Sequence, residues 1–544
     1  LVAAIIYFAG LIQNLPYSEE TDEKTRVVRA VAMVRYWSPN PGWFGHPAST
    51  VFYPLAFLIY VYNAVALGGS FFQRNPALEA IFQADITPFY VMGRLVTIAY
   101  GLGSLPLLYL VAKRLFSART ALVALWVSLT FTLVIANAQV ARSDSAALFF
   151  SLLSLWLCLR FHERPTMANR LRCALAVGLA ISSRYFMAAY FLPLAAAELA
   201  LLWRAPRDER SLDRAILRAC VSPLAVFAGF ALSTPFFFLD FKAAQRDLQE
   251  EARTDHLGFD GLTPAGNFTW YVTSSLPEAT SWLFLVLAVA ALLVAIWQRR
   301  HLQTLLGAFI LAYLVGISIH PLHQQRWLIQ IVPLIGIFTA EGVVLLSGVL
   351  SQKLALRGRQ ATALFAGVVV AALAVPAYDM ALFEIRQVTP STRLRAMVWM
   401  GENLPVGSHV LQESYGAPTL PPRLKHSFRP YIGRASGLDE YRKMGVDYLV
   451  VTDEIWNRFL NEPERYPAEV ALYEEIFTKL PLVKQFDPDF AARAASDANL
   501  DLSNLTFAGF WDNLIPVTIG NIIGGVVLAA AVYWFIYLRP AKQA

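Results

Sequence analysis

The sequence predicts a mainly α-helical polytopic membrane protein: a bundle of about eleven spans, a small external α/β domain and a C-terminal tail helix. Three observations carry that prediction. Of 544 residues, 56% are apolar and only 15% charged, with a mean hydropathy of +0.47; a soluble chain carries about a quarter charged residues. Long apolar runs recur at Val91–Ala112, Ala121–Ala136, Pro223–Leu239, Trp282–Trp297, Leu305–Ile319, Trp327–Leu350 and Thr362–Tyr378, each approaching the roughly 20 residues that cross a bilayer. From Asp379 to about Phe490 the composition turns charged, mixed and Pro-rich.

The elements follow in order. Leu1–Leu15 has no basic n-region and reads as a span, the remainder of a longer first helix, rather than a cleaved signal. Basic loops mark the cytoplasmic side: Lys113-Arg114 with Arg119, Arg160 to Arg172, Arg204 to Arg218, Arg299-Arg300, and Lys353 with Arg357 and Arg359. Between them the chain goes out and returns, which places two short spans in 173–203 on either side of Arg184-Tyr185. If Leu1–Leu15 exits the cytoplasm, 16–90 is external. Val51–Leu67, interrupted by Pro54, then lies along or dips into the outer surface. The spans and the external juxtamembrane segment make one module, 1–380. The external domain, 381–492, reads as a helix Thr392–Asn403, a turn Leu404–Gly407, a strand His409–Glu413, a helix Asp439–Met444 and a strand Asp447–Thr452. The last apolar run, Ile515–Leu538, lies in a linker-and-helix segment, 493–544, and returns the chain to the cytoplasm.

The net charge of +6 resides in short loops between spans, so it is no nucleic-acid signal. Cys158, Cys173 and Cys220 are too scattered for a metal site or disulfide framework and read as core filler.

This topology gathers Asp22, Asp144, His256, His323 and Arg326 on the external side. Asp22-Glu23 follows the first span, where a carboxylate pair is either a solvated helix exit or a group that chemistry uses. Asp144, in Ala141-Arg142-Ser143-Asp144, reads as a helix N-cap that can still present an oxygen to a cavity. Arg326 follows His320-Pro321-Leu322-His323-Gln324-Gln325 and either snorkels to headgroups or grips a phosphate with His323 or Gln325 nearby. Arg94 and Arg184 are further cations at external helix ends, with headgroup anchoring as the alternative. In Asn40-Pro41-Gly42-Trp43-Phe44-Gly45-His46-Pro47, a rigid turn carries two aromatics suited to an interfacial belt or to stacking on a sugar. A carboxylate pair, a second carboxylate and several arginines around an external cavity suit group transfer from a lipid phosphate. A carboxylate deprotonates the acceptor and the cations hold the departing phosphate.

Several of these stretches together carry a resemblance. They are Asp22-Glu23 after the first span, the Asn40–Pro47 turn, Gly93-Arg94-Leu95, Ala141–Asp144 before a Phe-rich helix, and Gln325-Arg326-Trp327-Leu328 with Pro333. Ser391-Thr392-Arg393 with Trp399 and Asn403-Leu404-Pro405-Val406-Gly407 extend it. Over roughly 1–490 the chain resembles membrane glycosyltransferases of the GT-C fold, in the bacterial protein O-mannosyltransferase and aminoarabinose transferase superfamily. The resemblance implies inverting transfer of a sugar from a polyprenyl-phosphate-linked donor, in the bacterial inner membrane with the site facing the periplasm. It implies that Asp22 is the catalytic base with Glu23 beside it, that Asp144 is a second acidic site residue, and that Arg326 lies near the lipid phosphate. Arg184-Tyr185 falls where many members carry Lys-Tyr. No Trp-Trp-Asp-type motif of the oligosaccharyltransferase branch occurs in the external domain. Membrane lipid is an expected partner, nucleic acid is not, and the acceptor stays open among protein, lipid and glycan. No cofactor is required outright; a divalent cation is compatible with the carboxylates.

One stretch departs from the pattern. Asn504–Leu538, above all Asn513–Gly525, resembles the last helix of formate/nitrite transporters. One helix cannot form a pore lined by several. A transporter or channel component, or a non-catalytic membrane assembly subunit, is the alternative to a transferase; inverted repeats and midplane charges would mark a transporter, and the charges here cluster on one side.

Overall fold

The computed structural model describes residues 1–487 apart from 18–19, 71–72, 205–208, 253–261 and 435–436. Among the described residues, seven helices are long and apolar enough to cross a membrane: Thr87–Leu115, Asp144–Glu163, Tyr185–Arg204, Ser211–Ser233, His301–Ile319, Val332–Lys353 and the stretch Arg359–Asn403. Two bent pairs raise that to nine. The chain is a multi-pass membrane protein. Two of the eleven expected spans differ for a reason of length: Met167–Ser183 has 17 residues, and the first helix runs only Val2–Ala9 before turns take over. Leu1–Leu15 is therefore not one straight helix. The tail resemblance at 504–538 lies outside the described residues.

The bends have local causes. Ala118–Ser128 and Thr132–Ala138 meet at 68°, where Ser128 Oγ and Thr130 Oγ1 donate to the carbonyls of Ala124 and Val127. Such back-bonding competes with the helix ladder. Pro264–Ala279 and Trp282–Trp297 meet at 111°. There Pro277 lacks a ladder N–H, and Ser281, at φ 139°, accepts from Phe284 N at 3.3 Å to start the next helix.

Helices pack where glycine lets backbones meet. A Cβ on Gly178 would stand 2.5 Å from the Val226 carbonyl oxygen and 2.7 Å from Phe230 N, so Met167–Ser183 and Ser211–Ser233 touch backbone to backbone. Gly178→Leu is expected to force these helices apart and to cost several kcal/mol, the scale of an overpacked core or more. Loss of monodisperse protein in detergent, against a tolerated Gly316→Leu where a Cβ meets nothing within 4 Å, checks it.

The apolar segment expected to lie on the outer surface is the helix Ser49–Val65. Val51, Phe52, Leu55 and Ile59 are buried along one side of it, and Thr50 Oγ1 lies 2.8 Å from Ser183 Oγ.

The α/β layer has a parallel three-stranded sheet in the order β2-β1-β3, with β1 His409–Gln412, β2 Lys425–Phe428 and β3 Tyr448–Val450. Thr392–Asn403 is a helix as expected, its Ser391 cap accepting from Leu394 N at 3.1 Å. Consecutive residues of β1 serve opposite faces: Leu411 packs with Ile432, Phe459 and Tyr473, while Val410 packs with Met400, Leu404 and Leu424. β2 was not expected. Its sequence Lys-His-Ser-Phe is largely exposed at a sheet edge and lacks the apolar alternation that marks strands. Glu413, just past β1, is buried and accepts from Thr452 N at 2.7 Å, Ile432 N at 3.0 Å and Tyr473 Oη at 2.5 Å, tying strand ends to the last helix. The helices and this layer form one compact unit, Leu1–Pro481.

Candidate functional site

Asp22 and Glu23 open the helix Thr21–Arg35, where acidic side chains favour the N-terminal end of the helix dipole. Neighbours on a helix diverge by about 100°, and the pair splits accordingly. Glu23 turns inward and makes a two-pronged ion pair with Arg94, Nε to Oε1 at 2.8 Å and Nη2 to Oε2 at 2.9 Å. Glu23 Oε1 also accepts from Ala141 N at 3.0 Å. Arg94 Nη1 donates to the carbonyls of Leu11 and Gln13 at 3.0 and 2.9 Å. Both side chains are almost wholly buried. The residues adjacent in sequence thus hold different posts: Glu23 and Arg94 lock the N-terminal segment to the Thr87–Leu115 helix and the turn before Asp144.

Asp22 faces the other way, with its side chain 27% exposed, enough for a substrate to reach. Arg26, one turn on, donates to Oδ1 at 3.2 Å. Arg326 pairs with Oδ2, and Arg142 Nε stands 3.6 Å from the same oxygen. Burial pushes the Asp22 carboxyl up, but Arg26, Arg326 and Arg142 outweigh it and hold the group well below the ordinary carboxylate range. Arg326 sits in the tight turn Gln325–Gln330 and donates from Nε to Gln324 Oε1 at 2.6 Å.

Asp144 lies in the first turn of Asp144–Glu163, with Ser143 rather than Asp144 at the cap and no side-chain capping bond. The capping reading is corrected: the carboxylate is wholly buried and meets Arg184 Nε at 3.2 Å. Arg184 occupies the extended break between Met167–Ser183 and Tyr185–Tyr190. Gln330 Nε2 reaches the Asp144 carbonyl at 3.4 Å, seating the Arg326 turn on the Asp144 helix.

The Asn40–Pro47 turn closes over this cluster. The Arg26 guanidinium lies 5.2 Å from the Trp43 ring centroid. Tyr185 Oη donates to the Phe44 carbonyl at 2.6 Å while Asp247 accepts from Phe44 N at 2.7 Å, so the Phe44 backbone is held at both its N–H and its carbonyl. Burial, then the positive charge of Arg184, Arg26 and Arg326, drives His46 well below its usual value and keeps it neutral near pH 7. His323 stacks at a tilt on Trp270, ring centroids 4.5 Å apart, and His256 lies outside the described residues.

Sequence reasoning left Arg26, Arg142 and His46 without a role. The signals were present: Arg26 is four residues after Asp22, Arg142 belongs to the Ala-Arg-x-Asp stretch, and His46 ends the Trp-Phe turn. Four guanidiniums (Arg26, Arg142, Arg184, Arg326) here meet three carboxylates (Glu20, Asp22, Asp144), a surplus of one positive charge. Such a surplus suits an anion. Among the described residues no group of three or more His, Cys, Asp or Glu is arranged to hold a metal ion. Arginines occupy both site aspartates, a donor set that does not fit a divalent cation.

An apolar cavity of about 390 Å³ lies between the helix Ser49–Val65 and the bundle, lined by Tyr53, Pro54, Tyr100, Phe150, Leu179 and Phe236 among others. Its wall includes Thr50, which is bonded to Ser183 beside Arg184.

Residues 91–232 match the family model described as dolichyl-phosphate-mannose-protein mannosyltransferase. That span holds Arg94, Arg142, Asp144, Arg184 and Tyr185. Among solved structures, ArnT from Cupriavidus metallidurans bound to undecaprenyl phosphate aligns with a TM-score of 0.46 and 16% identity, over 85% of this chain and 87% of that one. The Archaeoglobus fulgidus oligosaccharyltransferase tethered to an acceptor peptide aligns at 0.45 and 13%, over 87% and 70%. Curated relatives match only briefly. The formate channel FocA of Escherichia coli (strain K12) is 54% identical over 56 residues, 9% of this chain and 20% of the channel. A probable formate transporter of Methanothermobacter thermautotrophicus is 49% identical over 39 residues, 7% and 14%. The chain thus spans about a fifth or less of the length of the curated relatives it matches.

Proposed function

We propose that this protein is an integral-membrane glycosyltransferase that moves a sugar from a polyprenyl-phosphate carrier to an acceptor on the non-cytoplasmic face, in a bacterial inner membrane with its site toward the periplasm. The observation that carries the reading is the Asp22 carboxylate, held in reach of solvent among Arg26, Arg142 and Arg326. The mannosyltransferase-family match to 91–232 supports the reaction class. The apolar cavity beside Ser183 and Arg184 suits an isoprenoid chain whose phosphate meets the arginines.

The chemistry follows from charge. Asp22 takes the proton of an acceptor hydroxyl, the acceptor oxygen bonds to the anomeric carbon from the face opposite the phosphate, and the carbon–oxygen bond to phosphate breaks with inversion. The leaving polyprenyl phosphate gains one negative charge, which Arg326 and its neighbours stabilise most strongly as it develops. A carboxylate held far below its normal range is a weak base. The donor phosphate answers this: by drawing Arg326 and Arg142 to itself and adding its own negative charge, it raises the proton affinity of Asp22 when the sugar is in place. Water without donor meets an inactive carboxylate.

Incubating a labelled polyprenyl-phosphate sugar with purified protein and a membrane extract tests the reading. Arg326→Ala is expected to lower kcat/KM for the donor by about 10²- to 10³-fold, the scale of one transition-state charge contact, with Arg326→Lys recovering part. Its loss also removes one of the cations that hold the Asp22 pKa down. That pKa then rises, and the acid limb of the rate profile moves to higher pH. No transfer of label by the unaltered protein would sink the proposal; an unmoved acid limb in Arg326→Ala would separate Arg326 from Asp22.

A further inference from the structure

A second cavity, of about 240 Å³, lies between the outer end of the bundle and the α/β layer. Its lining includes four carboxamides (Gln13, Asn14, Asn137, Gln387) together with Arg142 from the membrane module and Arg393 from the helix Thr392–Asn403. From this lining we infer that the cavity is the acceptor subsite and that it takes an uncharged, polyhydroxylated ligand, a glycan, rather than a phosphorylated headgroup or a peptide. The inference rests on the transferase reading above.

Three features argue for it. Two of the three guanidiniums in the wall are paired with carboxylates of the same wall, so most of its charge is matched internally. Arg94 is bound by both oxygens of Glu23, Arg142 by Glu20 at 2.5 Å and Asn137 Oδ1 at 3.2 Å, and the Arg393 guanidinium stacks 4.9 Å from the Tyr415 ring centroid. Gln13 and Gln387 offer carboxamide donors and acceptors side by side, the complement of hydroxyls, which also do both, whereas Asn137 is held by the Leu133 carbonyl and Arg142, and Asn14 by Ser391 N. Gln387 Oε1 is buried and accepts no hydrogen bond among the described residues, an acceptor that a ligand hydroxyl would satisfy. Ala136 and Val140 aside, the lining gives an apolar side chain or lipid tail little to bury.

Position links the cavity to the chemistry. Arg142 forms the shared wall, with Glu20 and Asn137 on the cavity side and Asp22 on the other. Glu20 is half exposed, leaving a route from solvent. The α/β layer closes the far side through Arg393 and through Asn14 Oδ1, which accepts from Ser391 N at 3.4 Å. On this reading the external layer selects the acceptor.

The test offers the purified full-length protein a labelled polyprenyl-phosphate sugar with three kinds of acceptor: neutral trisaccharides (maltotriose, chitotriose, mannotriose), a Ser/Thr-rich peptide mixture and glucosamine 6-phosphate. Binding of polyprenyl phosphate is measured separately. Transfer to a trisaccharide is expected, with the acceptor KM raised about tenfold in Gln387→Leu and Arg393→Met while kcat and polyprenyl-phosphate binding hold. Transfer only to peptide or to the phosphorylated sugar overturns the glycan assignment and leaves the transferase standing. Donor binding without transfer to any of the three overturns the glycan assignment and leaves the transferase reading to the membrane-extract assay above. Trisaccharide transfer with both variants at the unaltered KM overturns the cavity assignment, and absence of donor binding and transfer together removes both readings.

Discussion

Asp22→Asn is expected to lower single-turnover transfer by about 10³-fold, within the range of a lost general base and about 4 kcal/mol of activation free energy. The substitution keeps the size of the side chain and a hydrogen-bond acceptor for Arg26 while removing the charge and the basicity. Arg26 is wholly buried and Arg326 mostly so, so stability is expected to fall as well, by less than the roughly 3–5 kcal/mol of a stranded buried charge because Asn keeps an acceptor for Arg26. Donor binding is expected to hold or tighten, because the phosphate no longer competes with a carboxylate for Arg326 and Arg142. Single-turnover transfer at saturating donor, alongside thermal unfolding in detergent and donor binding, separates the three effects. Unchanged transfer in a folded Asp22→Asn protein would remove Asp22 from the reaction.

Glu23→Ala is expected to do the reverse, lowering stability first. It leaves Arg94 buried with only carbonyl partners, and breaking a buried pair costs about 3–5 kcal/mol. Arg94→Met should cost a similar amount by stranding Glu23. Replacing both by apolar residues of similar volume, Glu23→Leu with Arg94→Met, should recover much of the loss, since no lone charge then remains buried. Thermal unfolding of Glu23→Leu, Arg94→Met and the double closes the cycle. Strict additivity would show the two side chains to be uncoupled. Full stability with abolished transfer in Glu23→Ala would return Glu23 to the chemistry.

These two experiments address the same dipeptide, and they show where sequence reading stops. Composition and apolar run length identify a multi-pass helical protein because bilayer thickness sets span length whatever the tertiary arrangement. The helix Thr392–Asn403 and the strands β1 and β3 were legible because their patterns are local. The exposed edge strand β2 was not, since its place in the sheet comes from pairing with β1.

The candidate site divides along the same line. Sequence by itself determined that Asp22, Asp144, Arg184 and Arg326 belong to a polar layer at span ends, since charges avoid the bilayer interior. It did not determine partners. Asp22 with Arg326 spans 304 positions and Glu23 with Arg94 spans 71, and which guanidinium meets which carboxylate depends on helix rotation and on where helices cross. One residue of helical advance sends Asp22 toward Arg26, Arg142 and Arg326 and sends Glu23 into the packed interior. Only the tertiary structure decided that division, because ion-pair geometry is fixed by packing between distant segments and no local pattern encodes it.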